Sequence, residues 1–221
     1  MTRIALGAIP LLSPLTGIGQ YTKHLALELC QLNQDVDLFL GDHWSTANPS
    51  LLETTAKTHQ IPNLSRRFFN KIKRSLPGVR QTLHHYRQKS FDQGLQEKCL
   101  GTSSWVYHEP NFIPWETDIP TVITVHDLSW IRYPETHPMD RVRWLNASIE
   151  KALHQAQAIV VVSKFVQDEV REIFGDRIAQ KTVVIHNGVS KDFRPYQPVF
   201  DQPILKHYQL EAQSVFLAWG T

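Results

Sequence analysis

A histidine and an aspartate, His126 and Asp127, follow directly after an apolar run that begins at Thr121. An imidazole in this position can donate or accept a proton, or hydrogen-bond a substrate hydroxyl. The alternative is a structural histidine beside an aspartate that caps a turn. A His-Asp metal pair of the phosphohydrolase type would need further His and Asp ligands on helices. The sequence shows no such set, so we expect no bound metal.

Four other groups of polar residues or glycines also come just after predicted strands. They contain "GIGQY", "HEPN", Ser163 and "HNG". Ligands of parallel α/β sheets gather at the carboxyl ends of the strands, so these groups are expected to converge on one edge. His126 is the catalytic candidate there. The candidate binding residues are Gly17, Gly19, Tyr21, His108, Glu109, Asn111, Asp127, Ser163, Asn187, Gly188 and Val189.

The glycines of "PLTGIGQYTKHL" allow two interpretations. Backbone N–H groups at a helix N-terminus would suit phosphate or sugar hydroxyls, or the turn is a flexible connection that needs positive φ. A dinucleotide fingerprint is a third possibility, with Asp42 as the ribose-binding acid. However, Thr22 replaces the third glycine and "PLLSPLT" separates the strand from Gly17. We therefore disfavour an NAD-dependent enzyme.

Apolar runs alternate with helical repeats along most of the chain. Strands are predicted at Arg3–Ile9, Val36–Leu40 and Ala158–Ser163, and from Trp105, Thr121 and Thr182. Helices are predicted through Tyr21, Leu25, Leu29 and Leu32, over Asp140–Ala156, and over Lys164–Phe174. This alternation predicts an α/β fold with a Rossmann-like, doubly wound parallel sheet. Asp35 to Asp37 lies at the front of a strand, and we interpret it as solvated.

Composition narrows the class of protein. The 221 residues are 42% hydrophobic, enough for one sizeable core or for one domain and the start of another. A net charge of +2 gives no indication of nucleic-acid binding. Two cysteines favour a reducing, cytoplasmic compartment. No apolar run approaches the ~18 residues of a membrane span.

Positive charge is concentrated between Ser65 and Ser90, which contains eight Lys or Arg residues and no acid. A basic amphipathic helix there could lie peripherally on the anionic inner face of a membrane. The alternative is a solvated helix that packs its apolar side on the core.

The composition changes near the end of the chain. Ser190–Pro203 contains three prolines and no periodicity, which predicts a linker. "SVFLAWGT" then predicts a new strand that cannot bury its faces alone. We therefore expect one domain over 1–195, then a linker and the first strand of an otherwise missing second domain over 196–221.

Several of these segments, taken in order, resemble the N-terminal domain of family 4 glycosyltransferases, the retaining GT-B class. They are "PLTGIGQYTKHL", "YHEPNFIPW", "TVITVHDLSWIRYPETHP", "AIVVVSKFVQDEV" and "VVIHNGVSKDFRP". "HDLSWIRYPETHP" is most similar to bacterial mannosyltransferases of cell-surface polysaccharide biosynthesis. The resemblance implies a GDP- or UDP-linked sugar donor as substrate, no cofactor, and a saccharide or lipid-linked acceptor.

The resemblance also implies roles for the candidate residues. Gly17 and Gly19 would approach the donor phosphates or the acceptor, while Ser163 and Asn187–Val189 would line the cleft. His126 would hydrogen-bond the sugar and stabilise its developing positive charge. The family's second domain provides an Arg and Lys pair and two glutamates, which this chain lacks. The resemblance therefore implies that the chain alone transfers sugar poorly, or that a partner chain completes it. A non-enzymatic nucleotide- or sugar-binding module is the main alternative.

Overall fold

The computed structural model of this chain describes residues 2–12, 16–54, 79–99, 104–190 and 193–210. The chain forms two compact units, Met1–His186 and Asn187–Thr221. The strand predicted in "SVFLAWGT" lies outside the described residues, as does the part of the basic stretch between 65 and 78. The predicted boundary near residue 195 stays a prediction.

The first unit contains a seven-stranded sheet in the order β3-β2-β1-β4-β5-β6-β7. The strands are β1 (Arg3–Gly7), β2 (Val36–Phe39), β3 (Trp44–Thr46), β4 (Trp105–Glu109), β5 (Thr121–Val125), β6 (Ala158–Val161) and β7 (Thr182–Val184). Every neighbouring pair is parallel except β2 and β3. The predicted Rossmann-like α/β sheet is confirmed. The antiparallel edge strand β3 was not predicted, because its three residues are too few to show a strand pattern; it follows a tight turn in which Gly41 has φ 93°.

Helices connect the strands. They are α1 (Gly17–Gln31), α2 (Pro49–Thr54), α3 (Val79–Cys99), α4 (Ser129–Arg132), α5 (Met139–Gln155), α6 (Lys164–Phe174) and α7 (Asp176–Ala179), with α8 (Pro198–His207) in the second unit. Short 3-10 helices occupy Ile9–Leu12 and Pro134–Thr136. The predicted helices over 140–156 and 164–174 are confirmed, and Gly175 ends α6 with φ 82°.

The helix α1 has a different buried face from the one predicted. Its buried residues are Gly19, Thr22 and Ala26. Leu25 is only partly buried, and Leu32 is 67% exposed. Small side chains on the inner face let the helix lie close to the sheet, so the leucines contact the core from the flanks.

The sheet between β2 and β4 is covered on both faces. Leu6 and Leu38 lie in a cluster with Ala26 of α1, whereas Ala5 and Phe39 lie in a cluster with Phe91 of α3. Successive residues of a strand point to opposite faces. The two helices therefore lie on opposite sides of β1 and β2, which is the doubly wound arrangement.

A third hydrophobic cluster fills the space between the strands β5 and β6 and the helices α5 and α6. Ile159 and Val161 are fully buried, and Val160 between them is 8% exposed. The continuous apolar run of β6 is thus covered on both faces, as its sequence predicts.

The acidic stretch at the front of β2 corrects one expectation. Asp35 is exposed, but the Asp37 side chain is only 1% exposed. Its carboxylate accepts hydrogen bonds from Arg3 at 2.9 Å and Lys98 at 2.8 Å, and from the Thr46 hydroxyl at 3.2 Å. The end of α3, which covers this face of the sheet, brings Lys98 to Asp37, a contact that the local sequence pattern could not reveal.

The carboxyl ends of the strands are aligned by their register. Leu6 pairs with His108, Glu109 with Ile123, and Val161 with both Val125 and Val184. The chain moves from β1 outward to β2 and β3, then crosses to β4 on the other side of β1. Parallel α/β sheets bind ligands at such a switch point.

The second unit contains α8, part of which was predicted as linker. Pro198 stands in the first turn, where a helix does not need its N–H. Asp201 accepts from the Gln197 amide at 2.6 Å and forms an ion pair with Arg194 at 2.7 Å. These local contacts start the helix inside the segment that was predicted as a linker, ahead of the short helix expected around Leu205 to Tyr208.

Candidate active site

Thr124 connects three elements at the centre of the candidate site. Its side chain on β5 is fully buried. The hydroxyl oxygen lies 2.8 Å from Nε2 of His108 on β4 and 3.2 Å from the hydroxyl of Tyr21 on α1. The structure therefore brings the predicted residues Tyr21 and His108 together. Thr124 was not predicted from the sequence, because a threonine inside an apolar strand is typical of strands in general.

His126 lies directly after β5 and is partly buried between aromatic rings. Its ring meets that of Tyr21 edge to face at 4.9 Å and that of Phe112 at 5.8 Å. Nε2 lies 2.9 Å from the carbonyl oxygen of Pro110. A carbonyl can only accept, so Nε2 carries the proton and Nδ1 of the neutral ring is an acceptor. Among the residues that the structure describes, Nδ1 has no hydrogen-bond partner.

Both histidines favour the neutral form. Burial, and to a smaller extent the nearby His126, lower the pKa of His108 to about 4. Burial also lowers the pKa of His126, although the Pro110 carbonyl and Asp127 act in the opposite direction. The site therefore contains two neutral imidazoles at neutral pH.

Glu109 ends β4 with its carboxyl group inside the protein. The residue is 6% exposed, and the Tyr107 hydroxyl donates to Oε2 at 2.7 Å. The Asn111 amide donates to Oε1 at 3.0 Å. Burial raises the pKa of Glu109 to about 7, although the hydrogen bonds from Tyr107 and Asn111 act in the opposite direction. The carboxyl group is thus enclosed, contrary to the exposed position that a direct substrate contact requires.

Asp127 caps the turn that starts α4. Its Oδ1 accepts from the Ser129 amide at 2.9 Å and from the Ser129 hydroxyl at 2.6 Å. Nε2 of His137 lies 2.9 Å from the same hydroxyl oxygen and donates to it, because the hydroxyl proton is committed to Asp127. Asp127 is exposed, and its observed contacts are those of the structural alternative. Ser129 and His137 were not among the residues predicted from the sequence.

Gly17 and Gly19 form the first turn of α1, after Thr16 at the N-cap position. The described glycines with positive φ are Gly41 and Gly175, so the interpretation that this turn needs positive φ is wrong. Gly17 is exposed and Gly19 is buried. The Thr16 side chain makes no capping bond. Among the residues that the structure describes, the first backbone N–H groups of α1 therefore have no hydrogen-bond partner.

The sequence model of Glycosyltransferase Family 4 matches residues 15–193. The chain belongs to this family. It is similar to the O-antigen chain mannosyltransferase B of Escherichia coli, with 29% identity over 222 residues, which cover 99% of this chain and 56% of that protein. The chain therefore spans about half the length of the curated relative that it matches. The matched range contains every candidate site residue from Gly17 to Val189.

One candidate residue of this family 4 chain lies at the next strand end. Ser163 follows β6 and is the N-cap of α6, where its hydroxyl oxygen accepts from the Val166 amide at 3.2 Å. Nδ1 of His186 donates to the Val162 carbonyl at 3.1 Å. Asn187–Val189 begins the second compact unit, so its convergence with this edge stays a prediction.

Two general features of the family 4 chain complete the description. Within the described ranges, no group of three or more His, Cys, Asp or Glu side chains could hold a metal ion. None of the described helices is long and apolar enough to cross a membrane.

Proposed function

We propose that this family 4 chain forms one half of the active site of a mannosyltransferase. The enzyme would transfer mannose from a GDP- or UDP-linked donor to a saccharide or lipid-linked acceptor, with retention at the anomeric carbon. The matched relative is named a mannosyltransferase of the O-antigen chain, which supports this substrate class. The resemblance of "HDLSWIRYPETHP" to such enzymes points the same way.

One observation carries the proposal: Nε2 of His126 is bonded to the Pro110 carbonyl, and Nδ1 has no hydrogen-bond partner among the described residues. An acceptor nitrogen can receive a hydrogen bond from a sugar hydroxyl. A neutral ring also avoids the repulsion that a protonated one would exert on positive charge developing in the sugar. Both properties suit a residue that lies against the transferred sugar.

The N-terminus of α1 supports binding of an anionic group. Gly17 and Gly19 present backbone N–H groups there, and the helix dipole favours a phosphate at that end. We propose that they approach the donor diphosphate or the acceptor. In the proposed enzyme, the family's Arg, Lys and Glu contributions would complete the cleft from its other half.

The location of the reaction is also a proposal. We place the enzyme in the cytoplasm, at the inner face of the membrane where a lipid-linked acceptor would be available. The stretch Ser65–Ser90 supports this location, because it contains basic but no acidic residues and would be attracted to an anionic membrane surface.

Donor binding can be tested on the chain itself. We expect ¹⁵N-histidine spectra to show a saturable shift of the His126 ring on titration with GDP-mannose or UDP-glucose, with His126→Ala weakening the binding. His154→Ala is the matched control, because His154 is exposed on α5 at the opposite end of the sheet. Absence of any donor-dependent shift would contradict the proposal.

Transfer can be tested in a chimera in which this chain replaces the matching segment of the Escherichia coli relative. We expect His126→Ala to reduce mannose transfer about 100-fold. We expect His154→Ala to change it less than about twofold. A chimera that binds donor but transfers no sugar would favour the non-enzymatic module instead.

A further inference from the structure

The carboxyl group of Glu109 occupies a space that exists only because β1 ends in glycine. A Cβ atom built on Gly7 would lie 2.3 Å from Oε2 and 2.9 Å from the carboxyl carbon. Among the described residues, no cation forms an ion pair with this carboxylate. Burying a carboxylate without a counter-charge is costly, and this cost is what raises the pKa of Glu109 to about 7. Oε1 can accept a hydrogen bond whether the carboxyl group is charged or neutral.

The contacts of Glu109 lead to the turn that follows β4. Oε1 accepts from the Asn111 amide at 3.0 Å. Phe112, the next residue, has φ 61°, a left-handed conformation that bulky residues rarely adopt. The Phe112 amide donates to the Thr124 carbonyl at 3.3 Å, and its ring packs against Trp130 at 5.0 Å. Several contacts thus hold the disfavoured backbone conformation at Phe112. The hydrogen bond from the Asn111 amide to Glu109 is one of them.

Pro110 lies between Glu109 and Asn111, so the side chain of Glu109 closes a small loop around it. The carbonyl of Pro110 is the acceptor for Nε2 of His126 at 2.9 Å. The position of that carbonyl decides which ring nitrogen of His126 carries the proton. Fixing the turn therefore fixes both the orientation and the tautomer of the imidazole.

We propose that Glu109 is a positioning residue: its carboxylate holds the Asn111 amide and the Pro110 turn, so that the Pro110 carbonyl keeps His126 in the Nε2–H form with Nδ1 as acceptor. Its importance for sugar transfer rests on the function proposed for His126, but the positioning itself does not. This role replaces the direct substrate contact predicted for Glu109 from the sequence.

The test is the tautomer of His126, measured by long-range ¹H–¹⁵N spectra of the ¹⁵N-histidine chain. Glu109→Met retains the length of the side chain but removes both acceptors, and Glu109→Asp retracts the carboxylate by one methylene. We expect either change to raise the fraction of His126 that carries its proton on Nδ1 about fivefold. This factor corresponds to the loss of one hydrogen bond, the one between the Asn111 amide and Oε1. His108 provides an internal reference, because its Nε2 contacts Thr124 and not the Pro110 turn.

Two further variants separate positioning from a general disturbance of the pocket. Glu109→Gln keeps a carbonyl oxygen for the Asn111 amide, so it should preserve the tautomer although it removes the charge. Tyr107→Phe removes the donor to Oε2 and leaves the bond between Oε1 and Asn111. It should also preserve the tautomer. A folded Met variant with an unchanged tautomer, or a Phe variant that shifts it as much as Met does, would overturn the proposal.

A measurement on the unmodified chain covers the case in which the Met and Asp variants do not fold. The Asn111 amide should exchange with solvent no faster than the Phe112 amide, which is bonded to Thr124. Exchange of Asn111 at the rate of an unfolded peptide would overturn the proposal. None of these readouts uses a sugar donor. If His126→Ala leaves transfer unchanged, the proposed function fails while the positioning result remains valid.

Discussion

His108 and Glu109 are neighbours in β4 whose side chains point to opposite faces of the sheet. His108 lies on the face of α1 and contacts Thr124, while Glu109 lies on the face of α3 with Tyr107. Burial lowers the pKa of the base to about 4 and raises that of the acid to about 7. In each case burial disfavours the charged form. The two residues therefore contribute opposite pH dependences to the stability of the fold.

We predict that His108 makes the chain less stable in acid. Its pKa falls from 6.5 in the unfolded chain to about 4 in the folded one, so the unfolded state binds more protons between these values. The free energy of unfolding thus rises as the pH increases from 4 to 6.5, by about 3 kcal/mol from this residue. His108→Gln should remove that increment when urea unfolding of both chains is measured across this range.

His154→Gln is the control for this measurement, because it removes an exposed imidazole on α5. Subtracting the variant curve from that of the unmodified chain isolates the contribution of His108. If the difference between the two curves is constant from pH 4 to 6.5, the inferred burial of a neutral His108 is wrong.

At the scale of elements, the end of β1 lies close to the end of β4. Gly7 faces the Glu109 carboxyl group, and the missing side chain of Gly7 makes room for it. Gly17 begins α1, and a Cβ atom there would meet nothing within 4 Å. A side chain at Gly7 would therefore collide with Glu109, whereas a side chain at Gly17 would point into open space. Both glycines belong to the segment that leads into the candidate site.

We predict that Gly7→Ala destabilises the chain by about 1–3 kcal/mol, because the added methyl group overlaps the Glu109 carboxyl group. Gly17→Ala should be neutral or slightly stabilising, since Gly17 is helical and exposed. Chemical unfolding of both variants measures the difference. The loss caused by Gly7→Ala should be partly relieved in the double variant with Glu109→Ala. Additive effects of the two changes would rule out this overlap as the cause.

At the scale of the whole molecule, polar contacts concentrate at both ends of the sheet. The carboxyl edge contains the candidate site around His126. Toward the amino ends of the strands, Asp37 binds Arg3 and Lys98 and thereby joins β1, β2 and α3. The Arg3 guanidinium also lies 4.6 Å from the centre of the Trp105 ring on β4. This second cluster connects four elements and stabilises the fold away from the candidate site.

We predict that Asp37→Asn lowers the free energy of unfolding by about 3 kcal/mol, because it leaves two partly buried cations without their counter-charge. Asp35→Asn is the matched control: Asp35 is exposed and its loss should cost less than about 0.5 kcal/mol. Guanidinium unfolding of the two variants gives the comparison. Equal losses would mean that the buried network contributes nothing specific.

Much of this architecture follows from local patterns in the sequence. The alternation of strands and helices predicted the Rossmann-like sheet, and the polar residues after the strands predicted where side chains such as Tyr21, His108 and His126 would meet. Periodicity depends on neighbouring residues, so it can be read without knowledge of the fold. The rule for parallel sheets then places the strand ends on one edge.

Only the tertiary structure decided which atoms contact each other at that edge. The bond between Tyr21 and Thr124 joins residues 103 positions apart, and Lys98 reaches Asp37 across 61 positions. The enclosure of Glu109 requires Gly7 on a different strand. Burial, pKa and tautomer depend on which elements cover a side chain. A residue's own neighbours in the sequence do not contain that information, because the covering elements come from distant parts of the chain.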